Sequence, residues 1–361
     1  MSVLSTFSRL LPAPTFMQLP SVGVDISDTS LKYIQFVPHY GRTIQYNVDS
    51  WGEVDIPPGV LERGQVSDVH KLSEVLGEIR HKTGTQFVRV SLPEERAYIF
   101  ETTIKPNTPQ SEIRSQLEFH LEEHVPISPR EAFFDYDIIG NTEGNISVSV
   151  VVYARETIMN YYEACKQADL TPVAFEVEAQ AIARSSIPPG ASGTHMVVDF
   201  GKTRTGIGIV HNGILLYTST IDIGGGDLSK ALRRVLGGKP ESELSDIKNT
   251  EGLVPKQDDR TTYETLLATV ASIKDEIATR LQYWHSRDHD LESRRIQSVI
   301  LCGGSCNLKG VTEYFTETLG IPTYRADVWQ NISLRNVIPP IERRFSYGYA
   351  TAIGLALVHT V

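Results

Sequence analysis

Two aspartates stand at equivalent places in the chain, each at the end of an apolar segment and just before a turn rich in hydroxyl groups. Asp25 follows SVGV and Asp199 follows HMVV. A carboxylate at the end of a buried strand can hold a hydrated Mg²⁺, and the backbone amides of the next turn can bind phosphate oxygens. The sequence therefore predicts that Asp25 and Asp199 bind magnesium through water.

The two turns also carry the hydroxyls and the positive charge that suit a polyphosphate. The groups concerned are Thr29, Ser30, Lys32, Lys202, Thr203, Arg204 and Thr205. Basic side chains of this kind offset phosphate charge. A strand-turn-strand pattern with Asp and Gly is also the ordinary signal of a β-hairpin, so one turn alone would indicate little. The occurrence of two such turns is what favours a binding site.

Two glycine-rich segments lie further along the chain. Residues 224–232, GGGDLSKAL, place three glycines and Asp227 at the start of a predicted helix, which indicates either helix capping or a phosphate-facing loop. Gly303 and Gly304 stand between the apolar run VILC and an amphipathic helix. Glycines there let the backbone approach a flat ligand, and the helix N-terminus adds a positive dipole. A purely structural turn is the alternative at this position.

The strands that would position these turns occur twice. An apolar strand, a short turn and a return strand begin at Val22, and the same pattern returns with its aspartate 174 positions later, at Asp199 instead of Asp25. This repetition predicts two lobes of similar construction. The length of 361 residues also exceeds that of one ordinary domain.

Composition and periodicity predict how the chain is divided. We expect an amphipathic arm at 1–21, a first lobe at 22–192, a second lobe at 193–344, and a C-terminal helix at 345–361 that returns to the first lobe. An α+β subdomain is inserted in the first lobe at about 93–172, and a distal helical subdomain lies in the second lobe at about 224–295. The arm can dock on its own protein, on a partner or on a membrane surface.

Charge and composition exclude several classes of function. The net charge of −10 argues against nucleic acid as a partner. Cys165, Cys302 and Cys306 follow no signal peptide, so they are expected to be free thiols in a reducing cytoplasm. A metal site at the last two is disfavoured because no second Cys or His pair stands at ligand spacing. The sequence contains no run of about eighteen apolar residues, so it predicts no membrane span.

Taken in order, these elements resemble the actin-like ATPase superfamily. The motifs that carry the resemblance are the hairpin DISDTSLK, the connecting helix FEVEAQAIARS, the hairpin DFGKTRTG, the adenosine motif GGSCNLKGV and the closing helix RRFSYGYATAIGLAL. The chain is most similar to the PilM family of type IV pilus assembly, with FtsA as a relative, because of the insertion before FEVEAQ, the wording IGGGDLSKAL and the helix KDEIATRLQYW. The implied fold is α/β, α+β by content: a two-lobed actin-like ATPase with an FtsA/PilM-type inserted subdomain.

The resemblance also implies roles for individual residues. ATP and Mg would be the cofactors, and the nucleotide would contact, besides the hairpin residues named above, Ser27, Gly201, Gly225, Gly226, Lys274, Glu276, Gly303, Gly304, Ser305 and Asn307. Arg280 lies near this set on the same helix as Glu276. Relatives use an acidic or amide residue of the connecting helix to position the attacking water, so Glu178 and Gln180 are the catalytic candidates. Solvated surface charge is the alternative for both.

The first hairpin departs from the D-x-G pattern of the family. Ser27 stands where glycine is usual, and serine is disfavoured wherever the turn needs positive φ. Asp28 adds a negative charge close to the expected phosphates. Both changes predict weaker phosphate binding than is normal for the family.

The implied function is a cytoplasmic ATP-binding scaffold of a type IV pilus, or of a related secretion machine, with slow ATPase activity at most. Its partner would be the N-terminal cytoplasmic tail of a PilN-like inner-membrane protein, which recruits the chain to the membrane. The pilus motor ATPase and a second copy of the chain are further candidate partners. Two alternatives stay open: a small-molecule kinase of the same superfamily, for which no acceptor-site signature is found, and a nucleotide-free adaptor, favoured only by Ser27.

Overall fold

Two five-stranded sheets, one three-stranded sheet and one two-stranded sheet organise the described residues. A computed structural model describes residues 21–40, 44–142, 144–255, 260–287, 293–335 and 338–357; the predicted arm lies almost wholly outside them. The strands are β1 Val22–Ile26, β2 Ser30–Tyr40, β3 Ile44–Asp55, β4 Leu61–Glu62, β5 Gln65–Val66, β6 Phe87–Leu92, β7 Tyr98–Ile104, β8 Ala132–Thr142, β9 Asn145–Ala154, β10 Thr171–Val177, β11 Thr194–Phe200, β12 Thr205–His211, β13 Ile214–Ile221, β14 Ile296–Cys302 and β15 Thr323–Arg325.

Helices cover the faces and edges of these sheets. They are α1 Val69–Thr83, α2 Gln110–His124, α3 Arg155–Gln167, α4 Glu178–Ser186, α5 Gly225–Leu236, α6 Glu241–Thr250, α7 Thr261–Arg287, α8 Val311–Leu319, α9 Arg343–Ser346 and α10 Ala350–Ala356. Within the described residues, no helix combines the length and the apolar composition needed to cross a bilayer.

The two large sheets have the same strand order and the same directions. The first runs β3-β2-β1-β6-β10 and the second runs β13-β12-β11-β14-β15. In each, the hairpin strands pair antiparallel and the two strands that follow pair parallel. Each central strand buries an apolar face, since side chains two apart on a strand share a face; Val22 and Val24 are fully buried in β1, as are Met196 and Val198 in β11. The repeated sequence pattern therefore corresponds to two topologically equivalent lobes.

A third, antiparallel sheet in the order β7-β9-β8 interrupts the first lobe, and we call it the inserted sheet. Helix α2 packs Leu117 and Leu121 on one of its faces, against Val148 and Val150, and this forms a separate small core. Helix α3, which the sequence grouped with the insertion, instead buries its side chains in the core of the first lobe. That placement follows from its apolar face, which packs on α1.

Helix α4 packs on strands of both large sheets and helix α10 packs on the first, and the two helices approach each other unusually closely. A Cβ at Gly354 of α10 would overlap the carbonyl of Ala181 in α4, and a Cβ at Gly23 of β1 would overlap the carbonyl of Ala352 in α10. Glycine is the residue that permits such backbone contact. The guanidinium of Arg184 donates to the carbonyl of Gly354 at 2.9 Å and so ties the two helices together.

Candidate nucleotide site

One cleft of about 680 Å³ lies between the two large sheets. The β1–β2 turn enters it from the first lobe and the β11–β12 turn enters it from the second. Most of the residues predicted from the sequence line this cleft: Asp25, Ser27, Thr29, Ser30, Lys32, Glu178, Asp199, Gly201, Lys202, Thr203, Arg204, Gly225, Gly226, Gly303, Gly304, Ser305 and Asn307. Segments separated by up to 280 positions therefore share one surface, although their roles remain predictions.

Gln180 is not among the residues that line the cleft. Its side-chain amide donates to the carbonyl of Gly213 and accepts from the amide of Leu215, both at 3.0 Å, at the β12–β13 turn. The physical reason is helical geometry, because residues two apart point to different faces of a helix. Since Glu178 faces the cleft, Gln180 points away from it.

Lys274 and Glu276 also lie outside the lining. Both are on α7, which packs its apolar face beneath the second sheet. Lys274 pairs with Asp275, and Glu276 pairs with Arg280, whose Nε donates to Ser219. Helix α6, and not α7, supplies residues to the lining where a nucleoside contact was expected.

Helix α6 is one part of the lining that the sequence did not identify. Its cleft-facing residues are Glu241, Ser242, Ser245, Asp246, Lys248 and Asn249. Lys248 is largely buried and donates to Ser229 at 2.7 Å and to the carbonyl of Gly225 at 3.3 Å. Polar residues recur at helical spacing in ESELSDIKNT, but a solvated helix face gives the same pattern. The spacing of polar residues in this segment was therefore consistent with a cleft-facing helix but did not distinguish it from a solvent-exposed one.

The first turn is closed by the hydroxyl of Ser27. Its Oγ donates to the carbonyl of Ser30 at 2.8 Å, and its amide donates to the same carbonyl at 2.9 Å. Ser27 does not have positive φ. The steric argument for weak phosphate binding therefore does not apply, because this turn does not need the left-handed conformation that favours glycine.

Asp28 is engaged with other parts of the protein. Its carboxylate accepts from the backbone amides of Arg63 at 3.2 Å and Gly64 at 3.1 Å, in the turn between β4 and β5. It also pairs with Arg204 from the second lobe, with 2.7 Å between Nη2 and Oδ2. The negative charge that seemed to oppose phosphate is thus compensated within the protein.

The second turn is fastened to the two glycine-rich segments. The amides of Gly225 and Gly226 donate to the carbonyls of Gly201 and Lys202, at 2.9 and 2.7 Å. The hydroxyl of Ser305 also donates to the carbonyl of Gly201, at 3.0 Å. Because these two glycine amides are already hydrogen-bonded inside the protein, they serve to position the turn.

The segment 224–232 was predicted either to cap a helix or to form a phosphate-facing loop, and the structure shows a capped helix start at α5. The Asp227 carboxylate accepts from the amide of Gly224 at 3.0 Å and lies in the first turn of the helix. A carboxylate at this place also interacts favourably with the helix dipole.

Gly303 has φ of 80°, and a Cβ there would overlap the Asp199 carboxylate. Glycine is therefore required beside Asp199.

Four carboxyl groups meet on the floor of the cleft. Burial is the main cause that raises the pKa of Asp25 to about 7, an effect that the neighbouring Asp199 adds to and Lys32 opposes. Burial likewise raises the pKa of Asp199, Glu178 and Glu94. Like charges held close in a dry environment favour the protonated form.

Glu94 belongs to this floor, and the sequence did not single it out. It is only 3% exposed, and its Oε2 atom has no hydrogen-bond partner. It sits in the short turn Glu94–Arg96, between β6 and the inserted sheet. Two glutamates after a proline look like surface charge in a sequence, which explains why the position was missed.

The charge balance of the cleft favours a bound divalent cation. Ten carboxylates stand in the described lining, against five basic side chains. Lys32 pairs with Glu53 at 3.0 Å, Lys248 with Glu241 at 3.5 Å, and Arg204 with Asp28. A triphosphate would add further negative charge, which a bound cation offsets. Among the described residues, no three or more His, Cys, Asp or Glu side chains are grouped to ligate a metal directly, so a role of Asp25 and Asp199 toward a cation would run through its water ligands.

Proteins with solved structures share this arrangement. The chain superposes on the ethanolamine utilization protein EutJ from Carboxydothermus hydrogenoformans with a TM-score of 0.52, at 17% identity over 96% of this chain and 91% of that one. It also superposes on MreB5 of Spiroplasma citri bound to AMPPNP with a TM-score of 0.54, at 12% identity over 93% and 94%. Together with two equivalent sheets around one cleft, these matches define an actin-like fold, as predicted.

The family follows from a more specific match. The family model of the type IV pilus assembly protein PilM matches residues 23–360, so the chain belongs to that family. The solved PilM-PilN type IV pilus biogenesis complex superposes with a TM-score of 0.75, at 20% identity, covering 94% of this chain and 98% of that one. The resemblance found in the sequence is confirmed.

Proposed function

We propose that this type IV pilus assembly protein binds Mg·ATP in the cleft and uses the nucleotide to set the relation between its lobes. The observation that carries the proposal is that Asp25 and Asp199, each followed by a hydroxyl-rich turn, face one cleft from the two equivalent sheets. The Gly303–Gly304 turn and α6 leave an edge of that cleft for the nucleoside. MreB5, which has the same fold, is solved with AMPPNP.

The partner we propose is the N-terminal cytoplasmic tail of a PilN-like inner-membrane protein. The likeness to the PilM-PilN complex over nearly the whole chain supports this partner. The inserted subdomain is the proposed binding surface, and the complex would recruit the chain to the cytoplasmic face of the inner membrane. Contacts with the pilus motor ATPase and self-association rest on the family resemblance alone.

Within the site, each residue has a distinct proposed task. Asp25 and Asp199 hold the hydrated cation, and Lys202 contacts phosphate oxygens, since it is the basic residue of the described lining without an ion pair within 4 Å. The metal would supply charge compensation for the phosphates. Glu178 is the remaining candidate for orienting the attacking water, because it faces the cleft. A carboxyl whose pKa is raised is deprotonated in only part of the molecules, and a small population of the basic form fits slow turnover.

A melting experiment tests the proposed function. At a concentration of Mg·ATP one hundred times its Kd, binding contributes about 2.7 kcal/mol to the unfolding free energy, which raises the melting temperature of a chain of this length by about 4 °C. Differential scanning fluorimetry with ATP plus Mg²⁺, and with ATP plus EDTA, measures this effect. No shift with Mg·ATP would leave the nucleotide-free adaptor as the better description, whereas phosphorylation of an added sugar or acid would favour a kinase.

Lys202 is expected to supply much of the affinity for phosphate. Replacing it by alanine removes a charge-assisted hydrogen bond, which is worth about 1.5–3 kcal/mol, so the Kd for Mg·ATP should rise about 10- to 100-fold. Lys230→Ala is the matched control, because Lys230 is exposed on α5 and pairs with Asp227 outside the cleft. Calorimetric titration measures both variants. An equal effect of the two substitutions would contradict the assignment of Lys202.

A further inference from the structure

The inserted sheet is fastened to the second lobe, although the chain enters and leaves it from the first. The Ser149 hydroxyl in β9 donates to the carbonyl of Leu215 in β13 at 2.7 Å, and this contact is buried. Glu101 in β7 pairs with Arg294, which precedes β14, at 2.6 Å. Strand β7 also packs along β13. Any change in the angle between the lobes must therefore also strain or move the inserted sheet.

A further interaction between the second lobe and the first lobe, an ion-pair cluster, lies inside the cleft. Arg204, in the turn before β12, pairs with Asp28 through Nη2 at 2.7 Å and with Glu95 through Nη1. The three side chains are only 16 to 19% exposed. A pair buried to this degree is screened little by solvent, and removing one partner leaves the other charge poorly compensated.

Both carboxylates that hold Arg204 occupy fixed positions in the first lobe. Asp28 is held by the amides of the β4–β5 turn, as described above. Glu95 stands in the turn Glu94–Arg96, three residues before β7 begins at Tyr98. The Nε of Arg96 donates to the carbonyl of Arg63 at 3.0 Å and joins the two anchoring turns. Arg204 therefore connects the second lobe to the base of the inserted sheet.

The same guanidinium lies where phosphate would bind. Arg204 follows Lys202 and Thr203 in the cleft lining, and its partners Asp28 and Glu95 also line the cleft. Guanidinium groups bind phosphate through the same forked donors that they use for carboxylates. A polyphosphate in the cleft and the two carboxylates must therefore compete for the same N–H groups.

We propose that Arg204 is a phosphate-sensitive tether, held by Asp28 and Glu95 in the nucleotide-free protein and released from both carboxylates when a polyphosphate binds. The inference rests on the proposed nucleotide function and adds how the nucleotide acts on the inserted sheet. Two consequences follow. The carboxylate of Glu95 lowers the affinity for Mg·ATP, and Mg·ATP loosens the chain between Glu94 and β7.

A second cross-lobe ion pair provides the control. Arg63 pairs with Asp222 at 3.0 Å, but their side chains are 70% and 62% exposed and Asp222 does not line the cleft. Exposed pairs contribute little. Asp222→Asn removes a negative charge and a contact between the lobes, as Glu95→Gln does, without affecting Arg204.

The experiment compares Glu95→Gln, Asp28→Asn and Asp222→Asn with the wild type. Calorimetry gives the Kd for Mg·ATP and for adenosine, which has no phosphate to compete. Glu95→Gln and Asp28→Asn should each tighten Mg·ATP binding by about three- to tenfold and leave adenosine binding unchanged, whereas Asp222→Asn should change neither by more than about twofold. Amide hydrogen exchange over residues 94–104 should rise in nucleotide-free Glu95→Gln, and in the wild type on adding Mg·ATP.

The outcomes separate the tether from the proposed function. If the wild type binds Mg·ATP but Glu95→Gln binds it no more tightly, or binds it more tightly without a change in exchange, the tether is wrong and the nucleotide site stands. If the wild type does not bind Mg·ATP, the proposed function and the competition both fail. Melting curves of the variants without nucleotide check that each one is folded.

Discussion

Asp25→Asn should abolish the Mg²⁺-dependent stabilisation by ATP and, at pH 8, raise the melting temperature of the protein without nucleotide. The first effect follows from the loss of a carboxylate that holds the hydrated cation. The second follows from the site itself, because a charged Asp25 faces Asp199 and the buried floor of the cleft. Asparagine has nearly the same shape and carries no charge, so it resembles the protonated form that the empty cleft prefers.

The sign of the pH dependence can be worked out from the raised pKa. The folded state keeps a proton on Asp25 up to about pH 7, whereas the unfolded chain loses it near 3.8. The folded state therefore binds more protons between these values, and the unfolding free energy falls as the pH rises through this window. Taken alone, the shift corresponds to on the order of 4 kcal/mol by pH 8, as an upper bound.

Melting curves between pH 5 and 8.5, with and without Mg·ATP, measure both effects. In the wild type, the stabilisation by Mg·ATP should be larger at pH 8 than at pH 6, because a bound cation favours the ionised carboxylate. Asp25→Asn should flatten the pH dependence of the nucleotide-free protein in this range. Asp49→Asn is the matched control, since Asp49 is exposed on β3 and outside the cleft. A variant that melts lower than the wild type at pH 8 would contradict the assignment.

The parts of the site that were predictable from sequence are those that lie within one short segment. Each turn for which we propose a metal contact follows a strand that ends in an aspartate and contains a hydroxyl-rich stretch, and the repetition of this pattern after 174 residues predicted the two lobes. Glu178 and Gln180 show that a short segment alone does not predict which side chain of a helix faces the cleft. Both are polar residues of one helix, and only the helical phase in the folded protein decides that Glu178 faces the cleft.

The remaining parts depend on contacts between distant segments. Arg204 and Glu95 are 109 positions apart, and their pairing exists only because the second lobe packs beside the turn that leads into the inserted sheet. Lys248 reaches the cleft because α6 follows α5 back across its edge. Burial also changes the meaning of a residue type, as Glu94 shows: the sequence has only an acidic pair, whereas the folded protein has a partnerless carboxyl oxygen in a dry site.

Gly354→Ala should destabilise the protein by about 3 kcal/mol or more, which lowers the melting temperature by about 4 °C or more. The added Cβ would overlap the backbone carbonyl of Ala181 in α4, which is held by the helix and cannot move aside as a side chain can. The strain therefore falls on the contact between α4 and α10. Because α4 packs on strands of both large sheets, the variant should also bind Mg·ATP more weakly than the loss of stability alone explains.

Gly77→Ala separates this packing effect from the general effect of alanine in a helix. Gly77 lies inside α1 with open space where a Cβ would be, and alanine at such a position stabilises a helix by about 0.5–1 kcal/mol. The two substitutions make the same chemical change and should shift the melting temperature in opposite directions. Similar shifts in both variants would mean that α4 and α10 are not in backbone contact. Opposite shifts would instead support close backbone packing of α10 on α4.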